Sequence, residues 1–590
     1  MRVAANLFAL RSTDPVEVEG AFRLLVGAEE FTPPRRAGAW LTATSALPGT
    51  PDDSRPAPGI LMAEGFEVLS READRSGGQD GWAAIARRAL DRPETLAALP
   101  GDFGFVAIDE SEANGSGQAV VVRSCGGLAP FYLYEEDGLV AIATRVADLV
   151  RFVPRNLKPD PLVWAAMATG SVVNPDDRGS VTGSRAVPRG CAAVVEPGRR
   201  GRFVRYFDPR PARWPAATPE RRAEHVTRLG NLVFTALEEE LDPTGGNLLT
   251  LSGGVDSSTL GALSAGKFGY PVATVSFVPP LGAPEAPSER RYVEGLAETV
   301  PFTRQVIVGT DLSTWLETME MAPPVAFPLV HNAHCILGGL AEEMAVRVVF
   351  GGEHADEICG APITVPDWAM ATSPFGLLRS LTSLPSGSKD LARWAAWRVL
   401  WAAKRPRTYH RTAMPAPIAP EIDQEYREWN RRFTRIVAPR GPWRFLTLWH
   451  AMDGWVGIGW EAATAIGARR STPFLSRASL ELVYDCHPSE LVGPGPKRLL
   501  RDAFDGLVPP ANLYRPDRGR TVIPLPDCDA MSWNRPLPEV VHPIVGPVWQ
   551  GSPARVGFDA AIALTALEVA GRCFEKLSRE KLSLLAAARR

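Results

Sequence analysis

The chain lacks the features that mark secreted, membrane and nucleic-acid-binding proteins. Its seven cysteines among 590 residues are scattered and form no C-x-x-C pair, which favours reduced thiols in a cytoplasmic protein over a disulfide framework. No apolar run approaches the roughly 20 residues that span a bilayer, so we expect no membrane partner. The net charge of -3 supplies no general basic field, so we expect no nucleic-acid partner.

Two kinds of site are also excluded by what is missing. The phosphate loop G-x-x-x-x-G-K-[ST], whose lysine binds the β- and γ-phosphates, does not occur. His331 and His334 lie near Cys335, but no second cluster of ligands completes a zinc site. A nucleotide would therefore have to be bound by another kind of loop.

What the chain does contain is a glycine turn between a strand-like apolar run and a helix-like stretch. The turn comprises Ser252, Gly253, Gly254, Val255, Asp256, Ser257 and Ser258. Glycines let the backbone approach an anion closely, and the following helix adds free N–H groups and a positive dipole end. A carboxylate at Asp256 beside a polyphosphate requires a cation between them, which predicts Mg²⁺. The alternative is a turn that only joins a strand to a helix.

A second strand-like run ends in paired glycines that acidic residues follow at once. The segment comprises Gly351, Gly352, Glu353, His354, Ala355, Asp356 and Glu357. Because the carboxyl ends of parallel strands meet at one edge of a sheet, Asp356 would lie near Asp256 and share its Mg²⁺. The alternative is an acidic helix N-terminus that the helix dipole stabilises.

The order of predicted elements divides the chain into two parts. Residues 1–208 are β-rich, and the proline-rich segment 208–215 reads as a linker. From about residue 216 strands and helices alternate, which is typical of a parallel sheet covered on both faces. The predicted strands of this part cover residues 247–251, 272–278, 303–308 and 346–350. The predicted helices include one from Pro219 to Leu241 before the first strand and one over residues 257–266 after the first glycine motif. Beyond residue 360 the chain looks mainly helical.

Together with these two motifs, four further segments make the chain resemble the asparagine synthetase superfamily. They are LPGDFGFVAID at 99–109, RSCGGLAPFY at 123–132, GARRSTPFL at 467–475 and KRLLRDAF at 497–504. The resemblance implies an α/β protein with two domains. Residues 1–208 would form an Ntn-hydrolase-like αββα sandwich of the glutaminase type. Residues 209–590 would form a parallel sheet of the adenine-nucleotide α-hydrolase (PP-loop) type with a helical extension, and residues 375–440 a helical lid inserted in it.

One departure from the family pattern bears on the substrate. A glutamine-using member begins Met-Cys and hydrolyses glutamine with that thiol, whereas this chain has Arg2 and no cysteine in its first hundred residues. We therefore expect the N-terminal domain to keep the glutaminase fold without the nucleophile. An amine that does not come from glutamine must then attack the activated acid.

Members without that cysteine form several groups, and the residue at position 353 separates them. The β-lactam and carbapenam synthetases carry tyrosine where Glu353 stands. The chain is most similar to the lasso peptide cyclases, which adenylate an Asp or Glu side chain of a leader-cleaved peptide and close a macrolactam with its N-terminal amine. The implied partners are that precursor peptide, a leader-binding protein and a cysteine leader peptidase. The alternatives are an amide ligase that uses ammonia or a small amine on a small acid, and an inactive binding homologue.

The resemblance also assigns the site residues by role. Lys497 would act on the ATP phosphates or the acyl-adenylate, and Glu353 would be the base toward the attacking amine. Asp256 and Asp356 would hold Mg²⁺. The residues that contact ATP would be Leu251, Ser252, Gly253, Gly254, Asp256, Ser257, Ser258, Phe277, Gly351 and Gly352. The alternative for Glu353 is a ligand-shell or helix-cap carboxylate.

Ordinary pKa values favour a peptide N-terminus as the nucleophile. An α-amine has a pKa of about 7.7–8.0 and a lysine side chain one of about 10.4. At pH 7 roughly a tenth to a sixth of the α-amine is neutral, against well under a thousandth of the lysine. A modest base is then sufficient to take the proton that an attacking α-amine loses.

One further segment, residues 391–407, combines tryptophans with basic residues. Trp394, Trp397 and Trp401 would share one helical face. This pattern predicts either a helix packed by its tryptophans or a docking surface for a peptide or a partner enzyme.

Overall fold

A computed structural model describes the parts of the chain on which the following account rests. The described residues are 5–26, 35–37, 40–46, 60–64, 69, 72–74, 79–99, 101–109, 117–168, 177–207, 217–278, 286–309, 343–359, 418–437, 460, 463–464, 467–491, 497–515, 531–533, 537–545, 554–556 and 558–588. Arg2, the linker 208–215, the pair His331 and His334, and the tryptophan-bearing segment 391–407 lie outside them. The domain boundary at residue 208 therefore stays a prediction.

Two antiparallel sheets are formed by the first 205 residues. Their strands are β1 (Ala5–Ser12), β2 (Arg35–Ala37), β3 (Trp40–Ala46), β4 (Ile60–Glu64), β5 (Gly104–Ile108), β6 (Ala119–Arg123), β7 (Tyr132–Glu136), β8 (Leu139–Ala143), β9 (Ser184–Ala186), β10 (Cys191–Val195) and β11 (Arg202–Arg205). One sheet has the order β2-β3-β1-β8-β7-β9, and the other the order β11-β10-β6-β5-β4. The helices of this region are α1 (Pro15–Val26), α2 (Gln79–Asp91), the 3₁₀ turn Pro93–Ala98, α3 (Val146–Phe152) and α4 (Pro161–Ala168).

Alternating side chains pack these elements into four layers. Along β1, Phe8 and Leu10 join the apolar cluster under α1, α3 and α4, whereas Ala9 faces the second sheet. Val106, Val121 and Phe131 fill the space between the two sheets. Phe105 and Val122 point the other way, toward α2 and the 3₁₀ turn. The result is the predicted αββα sandwich.

The rest of the chain is organised around a five-stranded parallel sheet. Its strands are β12 (Asn247–Thr250), β13 (Val272–Val278), β14 (Arg304–Gly309), β15 (Val348–Gly351) and β16 (Arg469–Ser471). Every pairing between them is parallel, and the order is β14-β13-β12-β15-β16. Because the chain adds strands first on one side of β12 and then on the other, the topological switch point lies between β12 and β15. The α/β class with a parallel second sheet is thus confirmed.

Helices cover this sheet and extend beyond it. They are α5 (Pro219–Glu240), α6 (Val255–Gly261, continued by a π-helical turn Ala262–Lys267), α7 (Ala286–Ala297), α8 (Ala355–Cys359), α9 (Pro420–Val437), α10 (Arg477–Asp485), α11 (Pro488–Leu491), α12 (Arg498–Ala503), α13 (Pro510–Leu513), the 3₁₀ turn Glu539–Val541 and α14 (Phe558–Ala588). The short hairpin of β17 (Met531–Trp533) and β18 (Ala554–Val556) precedes α14. In the described part of the chain, no helix is both long enough and apolar enough for a membrane span.

Two C-terminal helices pack on the N-terminal sandwich. Tyr426 and Trp429 of α9 are buried in the apolar cluster beside α4. Phe574 of α14 contacts Trp164 edge-to-face, with ring centroids 5.8 Å apart. The helix α9 is the described part of the predicted lid 375–440, so the lid itself stays a prediction.

Lys581 of α14 is buried against the sandwich. Its side chain is 2% exposed, and Nζ donates to the carbonyls of Val153 at 3.1 Å and Arg155 at 2.5 Å. Burial lowers the pKa of Lys581 from its ordinary 10.5 to about 8. The helix therefore docks on the sandwich more favourably when this amine is neutral.

We expect Lys581→Met to remove a pH-dependent part of the stability. The folded state releases this proton near pH 8 and the unfolded state near 10.5, so the wild type gains stability as pH rises through that window. Between pH 7 and 9.5 the gain is roughly 2 kcal/mol, and the methionine variant lacks it. Urea denaturation at both pH values measures the difference. Lys576→Met, an exposed change on the same helix, is the control; parallel pH profiles for the wild type and Lys581→Met would contradict the assignment.

A buried carboxylate joins the sandwich to α10. Asp102 accepts hydrogen bonds from the Gly126 N–H at 3.0 Å and the Ser124 hydroxyl at 3.2 Å within the sandwich, and from the Arg477 N–H at 3.0 Å. The Arg477 guanidinium in turn donates to the carbonyls of Ala97 and Leu99, both at 2.8 Å. The family-like segments of the sandwich therefore meet the start of α10 at one hydrogen-bonded contact.

Candidate active site

The two glycine motifs meet at the carboxyl edge of the parallel sheet. The first follows β12 and the second follows β15, so both flank the switch point. Leu251 is buried and donates its N–H to the Val275 carbonyl at 2.8 Å, while Phe277 at the end of β13 is half-buried. This edge is where open parallel sheets bind their ligands.

The glycines allow the two motifs to touch. Gly253 has a φ of +69°, and a Cβ there would lie 2.7 Å from the Tyr292 Cβ. A Cβ at Gly352 would lie 2.6 Å from the Asp256 Cβ and 2.9 Å from the Ser257 nitrogen. A side chain at Gly352 would thus force the motifs apart.

The three serines of the first motif have different surroundings. Ser252 is exposed, and the buried Ser257 hydroxyl accepts its N–H at 3.1 Å. The Ser258 N–H is already bonded to the Gly254 carbonyl at 3.0 Å, and the Ser258 side chain is fully buried. The contact of Ser258 with ATP stays a prediction, and α6 already uses the Ser258 N–H. Ser252, Gly254 and Asp256 keep access to a ligand.

Both predicted magnesium ligands contact one lysine. Lys497 Nζ forms an ion pair with Asp256 Oδ2 and lies 2.9 Å from Asp356 Oδ1. The Asp356 side chain is 59% exposed, whereas those of Asp256 and Lys497 are 18% and 14% exposed. The first turns of α6 and α8 and the start of α12 thus bring together three residues that lie far apart in sequence.

The pKa values of this group follow from burial and charge. Burial raises the pKa of Asp256; Lys497 opposes this effect and Asp356 adds to it, and the net direction is upward. Burial alone would lower the pKa of Lys497, but the two carboxylates outweigh it and hold the amine as a cation. Asp256 Oδ1 is buried and has no hydrogen-bond partner among the described residues. The unpaired Oδ1 of Asp256 and the neighbouring carboxylate of Asp356 are oxygen ligands of the kind that Mg²⁺ prefers.

Asn512 is a loop-shaping residue that sequence patterns did not reveal. It lies on α13, is 2% exposed, and its Nδ2 donates to the Tyr292 carbonyl at 2.9 Å, the Ser258 hydroxyl at 3.2 Å and the Gly253 carbonyl at 3.3 Å. One amide thus ties the first glycine motif to α7. Because 259 residues separate Asn512 from Gly253, no local signal could have indicated the contact.

We expect Asn512→Ala to loosen the first glycine motif. The change leaves buried acceptors unsatisfied, which costs about 1–3 kcal/mol. We also expect ATP affinity to fall about tenfold, since 1.4 kcal/mol corresponds to that factor. Thermal melting and titration calorimetry with ATP measure the two effects. Asn231→Ala, at an exposed position of α5, is the control; unchanged ATP affinity in Asn512→Ala would show that the loop holds its shape without this amide.

The remaining predicted catalytic residue, Glu353, lies at the same edge. Its side chain is 44% exposed, and Oε1 accepts a hydrogen bond from Arg470 Nη2. A Cβ at Gly351 would collide with the other carboxylate oxygen and with the Thr250 hydroxyl. Glu353 therefore folds over the end of β15, where an incoming group can reach it.

His354, beside Glu353, does not face solvent. It is 4% exposed and has a φ of +69°. Burial, followed by the charges of Arg189 and Arg470, holds the pKa of His354 well below its ordinary value. His354 is therefore neutral near pH 7 and packs beneath the site.

A separate group of ligand-type side chains lies between α5 and α11. His225, Cys486 and Glu490 are buried close together. His225 Nδ1 is 2.6 Å from Glu490 Oε2, and Nε2 is 3.3 Å from Asp485 Oδ2. Each imidazole nitrogen thus lies within hydrogen-bonding distance of a carboxylate of the protein. We therefore assign this group to the docking of α5 and not to metal binding.

A cleft of about 1,040 Å³ lies between the sandwich and the second half of the chain. It is lined by the 97–102 segment, by α5 and by the start of α10. None of the predicted site residues lines it. The cleft lies beside the contact of Asp102 with Arg477, and not at the carboxyl edge of the parallel sheet where the two glycine motifs meet.

Comparison with known families decides which chemistry this edge serves. The asparagine synthase family profile matches residues 246–563, which is more than half of the chain. The chain belongs to the asparagine synthase family. It is accordingly an ATP-dependent amide ligase of the asparagine synthetase type. The matched range contains both glycine motifs, Asn512 and Lys497.

Two solved structures are similar to this asparagine synthase family member over about half of its length. Glutamine phosphoribosylpyrophosphate (PRPP) amidotransferase from B. subtilis, complexed with ADP and GMP, is 10% identical, with 52% of this chain and 91% of that chain covered and a TM-score of 0.24. The allosteric regulatory enzyme of purine biosynthesis is 12% identical, with 54% and 81% covered and a TM-score of 0.23. No curated protein matches the chain.

The described part of the N-terminal sandwich offers this asparagine synthase family member no activated thiol. Cys125 and Cys191 are both buried. Burial, and then the Asp102 carboxylate, raises the pKa of Cys125 well above its ordinary value. A thiol in that state is a poor nucleophile at neutral pH.

Proposed function

We propose that this amide ligase is a lasso peptide cyclase. It would adenylate an Asp or Glu side chain of a leader-cleaved peptide, and the N-terminal amine of that peptide would close a macrolactam with release of AMP and pyrophosphate. The observation that carries the proposal is the position of Glu353. It is a half-exposed carboxylate at the nucleotide edge, within reach of an amine that arrives from solvent. The buried thiols of the described sandwich support an amine source other than glutamine.

In the first half-reaction the substrate carboxylate attacks the α-phosphorus of ATP. Ser252, Gly254 and Asp256 stand at the accessible side of the first glycine motif and would orient the triphosphate. Mg²⁺ bound by Asp256 and Asp356 would supply positive charge to the leaving pyrophosphate. Lys497, held as a cation beside both aspartates, would turn toward the phosphates and stabilise the same charge.

In the second half-reaction an amine attacks the acyl-adenylate carbonyl. Glu353 would accept a proton from that amine as the new C–N bond forms and AMP leaves. Its Oε1 is held by Arg470, so the carboxylate has a defined direction at the strand end. Because an α-amine is partly neutral at pH 7, a carboxylate is a strong enough base for the transfer.

The proposal is tested by supplying the purified protein with ATP, Mg²⁺ and one acceptor at a time. The acceptors are short peptides encoded beside the gene with their leaders removed, aspartate or glutamate with ammonia, and buffer alone. We expect pyrophosphate release only with a peptide, accompanied by a product lighter by one water. Mass spectrometry and a pyrophosphate assay measure these outcomes.

The assays with the other acceptors test the two alternative functions. Pyrophosphate release with a small acid and ammonia would replace the cyclase by an amide ligase for small acids. No pyrophosphate with any acceptor would indicate a binding protein. A peptide blocked at its N-terminal amine should still be adenylated but should not lose water.

A further inference from the structure

We propose that Arg470 is a positioning residue that holds Glu353 for the amide-forming half-reaction. The inference rests on the proposed role of Glu353 as the base. Arg470 lies on β16, beside β15 in the sheet, and 117 residues after Glu353. Its guanidinium donates to Glu353, and among the described residues it forms no hydrogen bond with Asp256, Asp356 or Lys497.

The two partners are buried to different extents. The Arg470 side chain is 4% exposed, whereas that of Glu353 is 44% exposed. Arg470 Nη2 donates to Glu353 Oε1, and Arg470 Nη1 is buried without a hydrogen-bond partner among the described residues. A buried guanidinium that is incompletely paired costs stability, so folding alone gives no reason for arginine at this position.

The backbone that carries Arg470 is fixed on both sides. Arg469 donates its N–H to the Arg347 carbonyl at 2.8 Å, and its guanidinium donates to the Glu240 carbonyl. The Ser471 hydroxyl donates to the Glu240 carboxylate. With both neighbours bonded to the end of α5 and its own side chain 4% exposed, Arg470 has little room to move, and Glu353 is held to it.

This arrangement limits where the base can point. Glu353 Oε1 is bound to the fixed guanidinium, and Oε2 lies against Gly351 at the end of β15. Without Arg470 a half-exposed glutamate would sample several rotamers in solvent. Loss of Arg470 should therefore slow proton transfer from the amine in the second half-reaction. Adenylation should continue, because it does not use the Glu353 carboxylate.

The test is Arg470→Met, assayed separately for each half-reaction. ATP–pyrophosphate exchange measures adenylation, and product formation measures amide synthesis, with whichever acid the wild type activates. We expect exchange to stay within about threefold of wild type and amide synthesis to fall about a hundredfold, the lower range of general-base catalysis. Arg470→Lys keeps a cation at the site and should recover about tenfold of the loss.

A second measurement needs no substrate. Glu353→Gln leaves the buried guanidinium without its charged partner and should lower the urea midpoint, whereas Arg470→Met should not. The double variant should then regain the midpoint of Arg470→Met. Arg304→Met, which breaks an exposed ion pair with Glu343 at 2.9 Å, is the control and should change neither activity nor midpoint.

The outcomes separate this proposal from the proposed function. If a small acid is the substrate, the cyclase assignment fails. The role of Arg470 is still tested then, by comparing the loss of ATP–pyrophosphate exchange with the loss of amide synthesis in Arg470→Met. Equal losses of exchange and amide synthesis, or unchanged amide synthesis, would overturn the positioning role. So would a lowered urea midpoint for Arg470→Met that the double variant does not restore.

Discussion

Asp256→Asn is expected to reduce pyrophosphate release by about ten-thousandfold. A magnesium ion on the leaving phosphates contributes several kcal/mol, and 1.36 kcal/mol corresponds to a factor of ten. Asp256 is the partly buried member of the pair, and its Oδ1 has no partner in the described part of the protein. Asparagine keeps the size of the side chain but loses the charge that would bind the cation. A coupled pyrophosphate assay at saturating ATP measures the loss.

The controls for Asp256→Asn separate charge from folding. Asp356→Asn should cause a loss of similar size, because both aspartates would hold the same ion. Asp423→Asn weakens an i,i+4 ion pair with Arg427 on α9, away from the two glycine motifs, and should leave the rate unchanged. Thermal melting should show that all three variants are folded. Pyrophosphate release near the wild-type rate in either Asp256→Asn or Asp356→Asn would refute the metal assignment.

The strand pattern was predicted well because apolar periodicity and burial coincide in this chain. The predicted strand 272–278 is observed as Val272–Val278, and the predicted helix from Pro219 ends one residue early at Glu240. The strand predicted at 346–350 begins instead at Val348. Ala345 has a φ of +49°, and the Arg347 and Val348 N–H groups both bond to the Gly246 carbonyl, so a turn precedes the strand.

The helix after the first glycine motif shows a limit of local patterns. It was predicted as one helix over 257–266, but it begins at Val255 and changes to π-helical hydrogen bonding at Ala262. Ser264 donates its hydroxyl to the Leu260 carbonyl at 2.7 Å near this change. A π-turn follows from packing around the helix, and no residue type in the segment marks it.

Among the site residues, those at strand ends were predictable and those held by distant contacts were not. Glu353 follows its glycine pair directly and Asp256 follows its pair after one residue, so the sheet topology alone places them at one edge. Lys497 came from a family resemblance and not from its surroundings. Asn512 and Arg470 reach the edge from helices and strands more than a hundred residues away. The sequence signals available for Arg470 were the adjacent arginine pair and the family-like segment 467–475 that contains it.

Lys497→Met is expected to lower pyrophosphate release by about a thousandfold, the range seen when one preorganised charge donor is removed. Lys497 is the cation that neutralises Asp256 and Asp356, and it does so from a left-handed backbone position with a φ of +59°. A non-glycine residue in that region is strained, and it persists because surrounding contacts hold it. Lys497→Arg keeps the charge and should retain more activity than the methionine variant.

The same substitution predicts a change in how the protein responds to magnesium alone. In the wild type Lys497 occupies the space between the two carboxylates, so a cation must displace the amine before it binds both. Lys497→Met leaves that carboxylate pair without a counter-charge, and added Mg²⁺ without ATP should raise its melting temperature several degrees more than that of the wild type. Asp356→Asn combined with Lys497→Met should abolish the extra stabilisation. If Mg²⁺ stabilises the wild type and Lys497→Met equally, the lysine and the metal do not compete for Asp256 and Asp356, and the metal must bind elsewhere.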